Sequence, residues 1–398
     1  MQPTQLLHSI IKKKIPSMHT SRLTSLLDAV TSLLGNKVLT LTKLGRNMKS
    51  TVKTRSNIRK VDRLLANKHL HKERNEIYKL ICSHLIQENS TPIIHIDWSC
   101  ISHKNNLYLL RASLAVKGRS IVIYEETHRK KSDNNHLTHK DFLNKLNLII
   151  RSSATPIIVT DAGFRAIWFA EIRELGWNFV GRLRNKNSVL LGNNTDWILS
   201  KELYTKASGK AKFLNTGLLT KKTQLPCRFV IFKDKNKKRG KKIVANSKGS
   251  STKQKYSKSY KEPWLLVTSL KCTDNLAAKT VAIYRSRMQI EENFRDTKSK
   301  RYGFGLNESE TRTPSRMGVL LLIAAIATFA CWLAGITALA RGKAADYQAH
   351  SAKFTSVLSI VYLGCEVLKR KFYINNKEYK RAIEQIICWS NTIAGVVI

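Results

Sequence analysis

The sequence predicts a mixed α/β fold, flanked by a helical N-terminal segment and a helical C-terminal tail. Three observations predict it. Through residues 1–85, apolar side chains recur at helical spacing. From Thr91, strand-like runs first follow one another across a short Gly break and then alternate with helical stretches, the order a mixed sheet requires. Residues 185–263 interrupt that alternation with short strand-like pieces and a polar tract, after which helical periodicity resumes.

Taken in order, Ser21 to Leu34 sets Leu23, Leu26, Leu27, Leu33 and Leu34 at helical spacing. Leu39 to Asn47 gives a short helix able to stop at Gly45, and Thr54 to Leu65 gives a basic one. In the second, Ile58, Val61, Leu64 and Leu65 form one apolar stripe, while Arg55, Arg59, Lys60 and Arg63 point elsewhere. Two short helices, the second with a basic exposed face, are what a helix-turn-helix needs to enter a major groove. A solvated basic face on an ordinary helical bundle gives the same pattern.

Pro92 to Asp97, Leu107 to Val116 and Ser120 to Glu126 read as strands, with Lys117-Gly118-Arg119 as a hairpin turn. A helix over Leu137 to Ile150 turns Phe142, Leu143, Leu146, Ile149 and Ile150 inward. The apolar strand Pro156 to Thr160 ends at Asp161, the helix Phe164 to Leu175 closes at Gly176, and Trp177 to Arg184 is strand-like. Residues 185–263 read as a β-rich insertion, with one strand over Gln224 to Phe232 and a tract from Lys233 to Lys261 holding 12 Lys and Arg against one acid. Helical pattern then runs from Asn275 to about Ser299. Met317 to Ala340 is 24 residues without a charge, long enough to span a bilayer. The same composition suits a core helix covered on every face, and a single such run in so basic a chain favours the core helix. The remaining tail reads as helical.

The 398 residues carry 70 Lys and Arg against 27 Asp and Glu, a net charge of +43. Such a surplus repels itself unless an anion takes it up; nucleic acid is the leading candidate and an acidic membrane surface the second. The seven cysteines are odd in number, scattered and without a CxxC pair, which excludes a secreted disulfide scaffold and speaks against zinc. No cationic, apolar leader opens the sequence, so an intracellular protein facing nucleic acid is expected.

Acids are scarce, so those at strand ends stand out: Asp97 after PIIHI and Asp161 after PIIVT. Groups just outside the carboxyl ends of strands face the ligand crevice of an open α/β sheet. Two carboxylates there suit a magnesium or manganese ion, since hard cations take oxygen ligands; taken singly, each also suits a turn or a helix cap. At about 100° per residue, Tyr284, Arg287, Glu291, Arg295 and Lys298 share one face of a continuous helix, with Glu292 turned away and Ile283, Ile290 and Phe294 on a separate apolar stripe. A lone carboxylate ringed by cations and a tyrosine can ligate a metal while its neighbours hold phosphates; an exposed Arg287–Glu291 pair is the plainer alternative. His95 shares a strand face with Asp97 and reads as structural, whereas His128, His136 and His139 in a polar loop raise a zinc site as a minor reading.

The spacing Tyr284-x2-Arg287-x3-Glu291-x6-Lys298 resembles the signature of bacterial cut-and-paste transposases of the insertion-sequence-four family. DWS at Asp97 and DAGF at Asp161 sit in the two contexts where those enzymes carry catalytic aspartates. LTLTKLGRN, NKHLHKER, LRASLAVKGRS, KEPWLLVTSL and RMQIEENFRDTKS closely resemble its insertion-sequence-ten members.

The resemblance implies an RNase H-like catalytic core in two parts, 86–184 and 264–345, split by the β-rich insertion 185–263. A DNA-binding segment at 1–85 would precede it and a multimerising helical region at 346–398 would follow. It implies Asp97, Asp161 and Glu291 as a triad for two magnesium or manganese ions, with Tyr284, Arg287 and Lys298 on the phosphates of the transposon end. Trp264 would stack a flipped-out base during hairpin formation; without the resemblance it reads equally as a core aromatic at a strand start. Arg182 is a further phosphate contact that Arg184 fits almost as well, and Arg295 joins the same cationic face. Arg55, Arg59 and Arg63 would read double-stranded DNA, transposon ends and target alike. A homodimer on paired ends and a cytoplasmic, nucleoid-associated bacterial protein are implied, with no membrane partner. A repressor or an inactive transposase derivative that only binds DNA is the competing reading.

Overall fold

The computed structural model describes residues 1–151, 153–184, 187–234, 262–348, 357–370 and 372–393. They divide into two compact units, the first formed by Met1–Ala154 with Met288–Ile393 and the second by Thr155–Arg287.

The first unit opens with five helices: α1 (Pro3–Lys14), α2 (Thr20–Asn36), α3 (Leu41–Arg46), α4 (Thr54–Ala66) and α5 (Lys68–Leu85). Polar side chains start several of them: Thr40 accepts from the Lys43 amide and Asn67 from the Leu70 amide, satisfying N–H groups that the first turn leaves over. Three strands follow, β1 (Ile93–Ser102), β2 (Leu107–Ala115) and β3 (Ser120–Arg129), each antiparallel to the next. The turn read at Lys117-Gly118-Arg119 is the β2–β3 hairpin, where Gly118 takes the left-handed conformation (φ 75°). Helix α6 (His136–Ile149), capped by Asn135, closes this first pass.

The second unit starts with β4 (Ile157–Thr160), α7 (Ala166–Glu174) and β5 (Asn178–Leu183); β4 and β5 pair in parallel, as strands joined through a helix do. Short strands β6 (Ser188–Leu191) and β7 (Ile198–Leu199) and longer ones β8 (Lys212–Leu219) and β9 (Leu225–Phe232) occupy the expected β-rich stretch, all antiparallel. β10 (Trp264–Thr268) pairs antiparallel with both β5 and β9, giving the order β4-β5-β10-β9-β8-β6-β7. Helix α8 (Leu276–Ser286) packs on these strands. Most of the lysine-rich tract, 235–261, lies outside the described residues.

The chain returns to the first unit through α9 (Met288–Lys298), α10 (Pro314–Ala340), α11 (Ile360–Leu368) and α12 (Asn376–Asn391). α10 contains the uncharged run, preceded by Arg316 in its first turn, and its most apolar window is wholly buried, packed by α1, α2, α4, α5, α11, α12 and β3. The core-helix reading therefore describes its environment: an all-round apolar helix needs cover on every face and finds it in protein. Among the described residues, this is the one helix long and apolar enough to cross a membrane.

The continuous helix expected from Asn275 to Ser299 is broken. α8 ends at Ser286 and α9 begins at Met288, with the Arg287 amide bonding the Tyr284 carbonyl at 3.1 Å. That three-residue spacing is a tightened turn rather than the regular helical ladder.

Candidate active site

Asp97 does not end its strand. β1 continues to Ser102 because β2 runs alongside it: Asp97 faces Arg111, Trp98 faces Leu110 and Cys100 faces Tyr108. Ladder hydrogen bonds come from the backbone, so the polar run after Asp97 stays extended despite losing its apolar pattern. The Trp98 amide donates to Asp97 Oδ1 at 2.8 Å, which fixes the carboxylate from its own backbone.

Glu291 lies in the first turn of α9 and shares an open cavity of about 740 Å³ with Asp97, Trp98, Ser99, Arg295 and Lys298. Lys298 Nζ donates to Ser99 Oγ at 2.8 Å and to the Cys100 carbonyl at 3.0 Å, bridging the end of α9 to β1. Burial pulls the Lys298 ammonium below its ordinary value, while the Cys100 thiol and the Asp97 carboxylate act in the other direction. Glu292 points away from this cavity, as the helical spacing requires, and pairs with Arg295 and, at 3.4 Å, with Arg119. Ile290 and Phe294 are buried, and Phe294 also lines the cavity, so the apolar stripe is not wholly separate from the Glu291 face.

Asp161 follows the last residue of β4, at the carboxyl end of a parallel pair, where the sequence located it. Its Oδ1 accepts from the Gly163 amide at 2.8 Å, so it also makes the turn contact that an isolated aspartate there would make. Trp264, half-buried at the start of β10, meets the buried Tyr284 edge to face. Burial raises the Tyr284 phenol above its usual value, the nearby Arg287 and Arg182 guanidiniums oppose this, and Asp161 adds to it. Within the second unit the Arg287 guanidinium lies 5.9 Å from the centre of the Tyr284 ring. Arg182 is the more buried of the two candidate arginines, and both lie near Glu262, at 3.8 Å for Arg182 and 3.5 Å for Arg184.

In the N-terminal helices, Val61, Leu64 and Leu65 of α4 are buried while Arg55, Arg59 and Arg63 are exposed at four-residue spacing. Lys60 is instead drawn to Asp28 at 2.6 Å. α3 seats closely on α4: a Cβ on Gly45 would stand 2.6 Å from the Ile58 Cα, so only glycine permits the approach.

The histidines expected in one polar loop lie on regular elements instead, His128 on β3 and His136 and His139 on α6, because strand pairing and the Asn135 cap extend structure through that polar stretch. His95 is fully buried, His139 Nε2 accepts from the Trp98 indole at 2.8 Å, and His128 meets the Trp98 ring edge on, with centroids 5.5 Å apart. Among the described residues no three His, Cys, Asp or Glu groups converge as a metal site, neither the histidines of the zinc reading nor the three carboxylates together. Asp97 and Glu291, oxygen donors on one open cavity, do suit a hard divalent cation.

Sequence reasoning missed the buried group beneath this cavity. Arg111 stands opposite Asp97 on one side and Glu125 on the other, and bonds to Glu125, Asn293 and Thr297. The available signal was a single arginine inside the otherwise apolar run LYLLRASLAV, since an unpaired charge is almost never buried.

No curated protein matches the chain. A family model described as Transposase DDE domain matches residues 88–329. That stretch contains β1 with Asp97, β4 with the aspartate that follows it, and α9 with Glu291, and it covers more than half of the sequence: the chain belongs to the DDE transposase family.

Proposed function

We propose that this DDE transposase binds transposon terminal inverted repeats, cuts them free through a hairpin intermediate and joins the ends to target DNA, with Asp97, Asp161 and Glu291 as its metal-binding carboxylates. The observation that carries the proposal is the cavity shared by Asp97 and Glu291 with Lys298 and Arg295 on its rim. Carboxylates beside cations suit a reaction in which a metal and a phosphodiester occupy the same place.

When bound, two magnesium or manganese ions would activate a water and stabilise the leaving oxygen of an in-line displacement at phosphorus. The side chains divide the remaining work. Lys298, its ammonium held by Ser99 and Cys100, offers a fixed charge to a phosphate, and exposed Arg295 offers another. Arg182, Tyr284 and Arg287 hold the backbone of the transposon end, and Trp264 stacks an extruded base while the freed 3′-hydroxyl attacks the opposite strand. Arg55, Arg59 and Arg63 contact the repeat from α4, and a homodimer pairs the two ends.

The test is strand cleavage by the purified chain on labelled DNA carrying the ends that flank its own gene, in magnesium or manganese. Asp97→Asn, Asp161→Asn and Glu291→Gln should each abolish nicking while leaving end binding intact. A wild-type chain that binds ends but nicks nothing in either metal would instead be a binding-only protein.

A further inference from the structure

Asp97, Arg111 and Glu125 form one cross-strand row through β1, β2 and β3, so their side chains lie on one face of the sheet. The middle member is committed. Arg111 and Glu125 side chains are each 1% exposed, and the guanidinium donates to Glu125 Oε2 from Nε at 2.8 Å and lies 2.7 Å from it through its second terminal nitrogen. Its other arm reaches α9, donating to Asn293 Oδ1 and, at 3.1 Å, to Thr297 Oγ1, with the Phe294 ring 5.0 Å away. Tyr78 holds the far oxygen of Glu125 at 3.0 Å.

A buried ion pair is a poor way to gain stability, because well-packed apolar residues often do as well; what it supplies is direction. α9 is seated by buried Ile290 and Phe294 and by polar ties at its edges, Gln289 with Val116 and Ser120, Asp296 with Arg119 and Lys298 with Ser99 and Cys100; the apolar contacts at its centre by themselves permit a helix to slide or turn. Hydrogen bonds to Asn293 and Thr297 do not. Those residues lie between Glu291 and Lys298 on α9, while Arg111 sits opposite Asp97, so one guanidinium references the helix carboxylate to the strand carboxylate.

We propose that Arg111, oriented by Glu125, is a positioning residue that sets Glu291 and Lys298 of α9 against Asp97. The proposal rests on the reading of Asp97 and Glu291 as metal-binding carboxylates. Glu125 has a second part in it: by pairing with Arg111 it turns the guanidinium toward β3 and α9.

Three variants test it: Arg111→Lys, which keeps the charge and loses the fork; Glu125→Gln; and the apolar double replacement Arg111→Met with Glu125→Leu, which removes the pair without stranding a charge. The first readout is hydrogen–deuterium exchange without metal. Peptides covering 288–298 should exchange at least about tenfold faster, while α10 peptides keep the wild-type rate. The second is the manganese concentration giving half-maximal nicking, which should rise roughly tenfold, as expected when a support behind a metal ligand is lost, and excess manganese should recover most of the rate. Unchanged α9 exchange, or a nicking loss that only follows the folded fraction at unchanged manganese dependence, would overturn the proposal. If the double variant does not fold, Arg111→Lys decides alone, and wild-type behaviour in both readouts rejects the idea. Absence of nicking by the wild-type chain would defeat the catalytic reading instead, a result that exchange in α9 does not share.

Discussion

Trp264 and Tyr284 meet edge to face, their ring centroids 5.0 Å apart and their planes at 72°. The two residues expected to grip DNA separately therefore touch each other. Trp264 is the half-buried one and Tyr284 only 4% exposed, so the indole is the ring that a base can reach, while the phenol braces it from beneath. Trp264→Ala should retain the first nick and lose the hairpin product, because only the second step needs a platform for an extruded base. Tyr284→Phe keeps the ring contact, worth about 1 kcal/mol, and should reduce hairpin yield far less. Denaturing gels that separate nicked strand from hairpin give the answer, and a Trp264→Ala defect confined to nicking would reject the stacking role.

Glu291 and Glu292 are neighbours with different surroundings, and exchanging each for Gln separates their roles. Glu291 lines the cavity with Asp97, and Glu292, outside it, pairs with Arg119 and Arg295. Glu291→Gln should abolish cleavage while end binding persists. Glu292→Gln should leave cleavage standing and cost roughly 0.5 kcal/mol, the usual scale for partly exposed ion pairs. Cleavage surviving in Glu291→Gln but not in Glu292→Gln would reverse the assignment.

What the sequence made legible follows the reach of the physics involved. Helix α4 and the burial of Val61, Leu64 and Leu65 were visible because helical period is a local signal. Asp161 was placed because an apolar β4 run ends abruptly before it. β1 was cut short at Asp97 because the pairing that extends it belongs to β2, not to its own residues. The break at Arg287 escaped for the converse reason: every residue from Tyr284 to Glu291 tolerates a helix, and nothing local marks a three-residue hydrogen bond. Arg111 and Asn293 are 182 positions apart, and spacing alone cannot join them.

The N-terminal arginines predict a salt-dependent signature. Arg55, Arg59 and Arg63 project from one exposed line of α4. Arg59→Ala should weaken end binding and lower the slope of log affinity against log salt by about 1, as loss of one phosphate contact does. Gly45→Ala should act differently, unseating α3 from Ile58 and lowering the melting temperature without altering that slope in the folded fraction. Binding isotherms at four salt concentrations distinguish the two, and an unchanged slope in Arg59→Ala would remove that arginine from the interface.

The last prediction concerns acid. Glu126, 9% exposed at the end of β3, accepts from the Tyr124 hydroxyl at 2.6 Å and from Lys145 at 2.8 Å, with His128 at 3.0 Å. Burial alone would push its carboxyl up; the hydrogen bonds from His128, Lys145 and Tyr124 outweigh this and hold it at about 2, against an ordinary 4.5. A carboxyl lowered on folding binds fewer protons native than unfolded, so its stabilisation is complete above about pH 4.5 and is lost as the pH falls toward 2. The shift corresponds to at most about 3 kcal/mol. Glu126→Gln removes the titration, so it should be less stable than wild type at pH 6 and approach it as the pH drops below 4. Urea unfolding of both chains at several pH values measures the gap directly. A gap as wide at pH 3 as at pH 6 would show that Glu126 does not owe its contribution to the charged form.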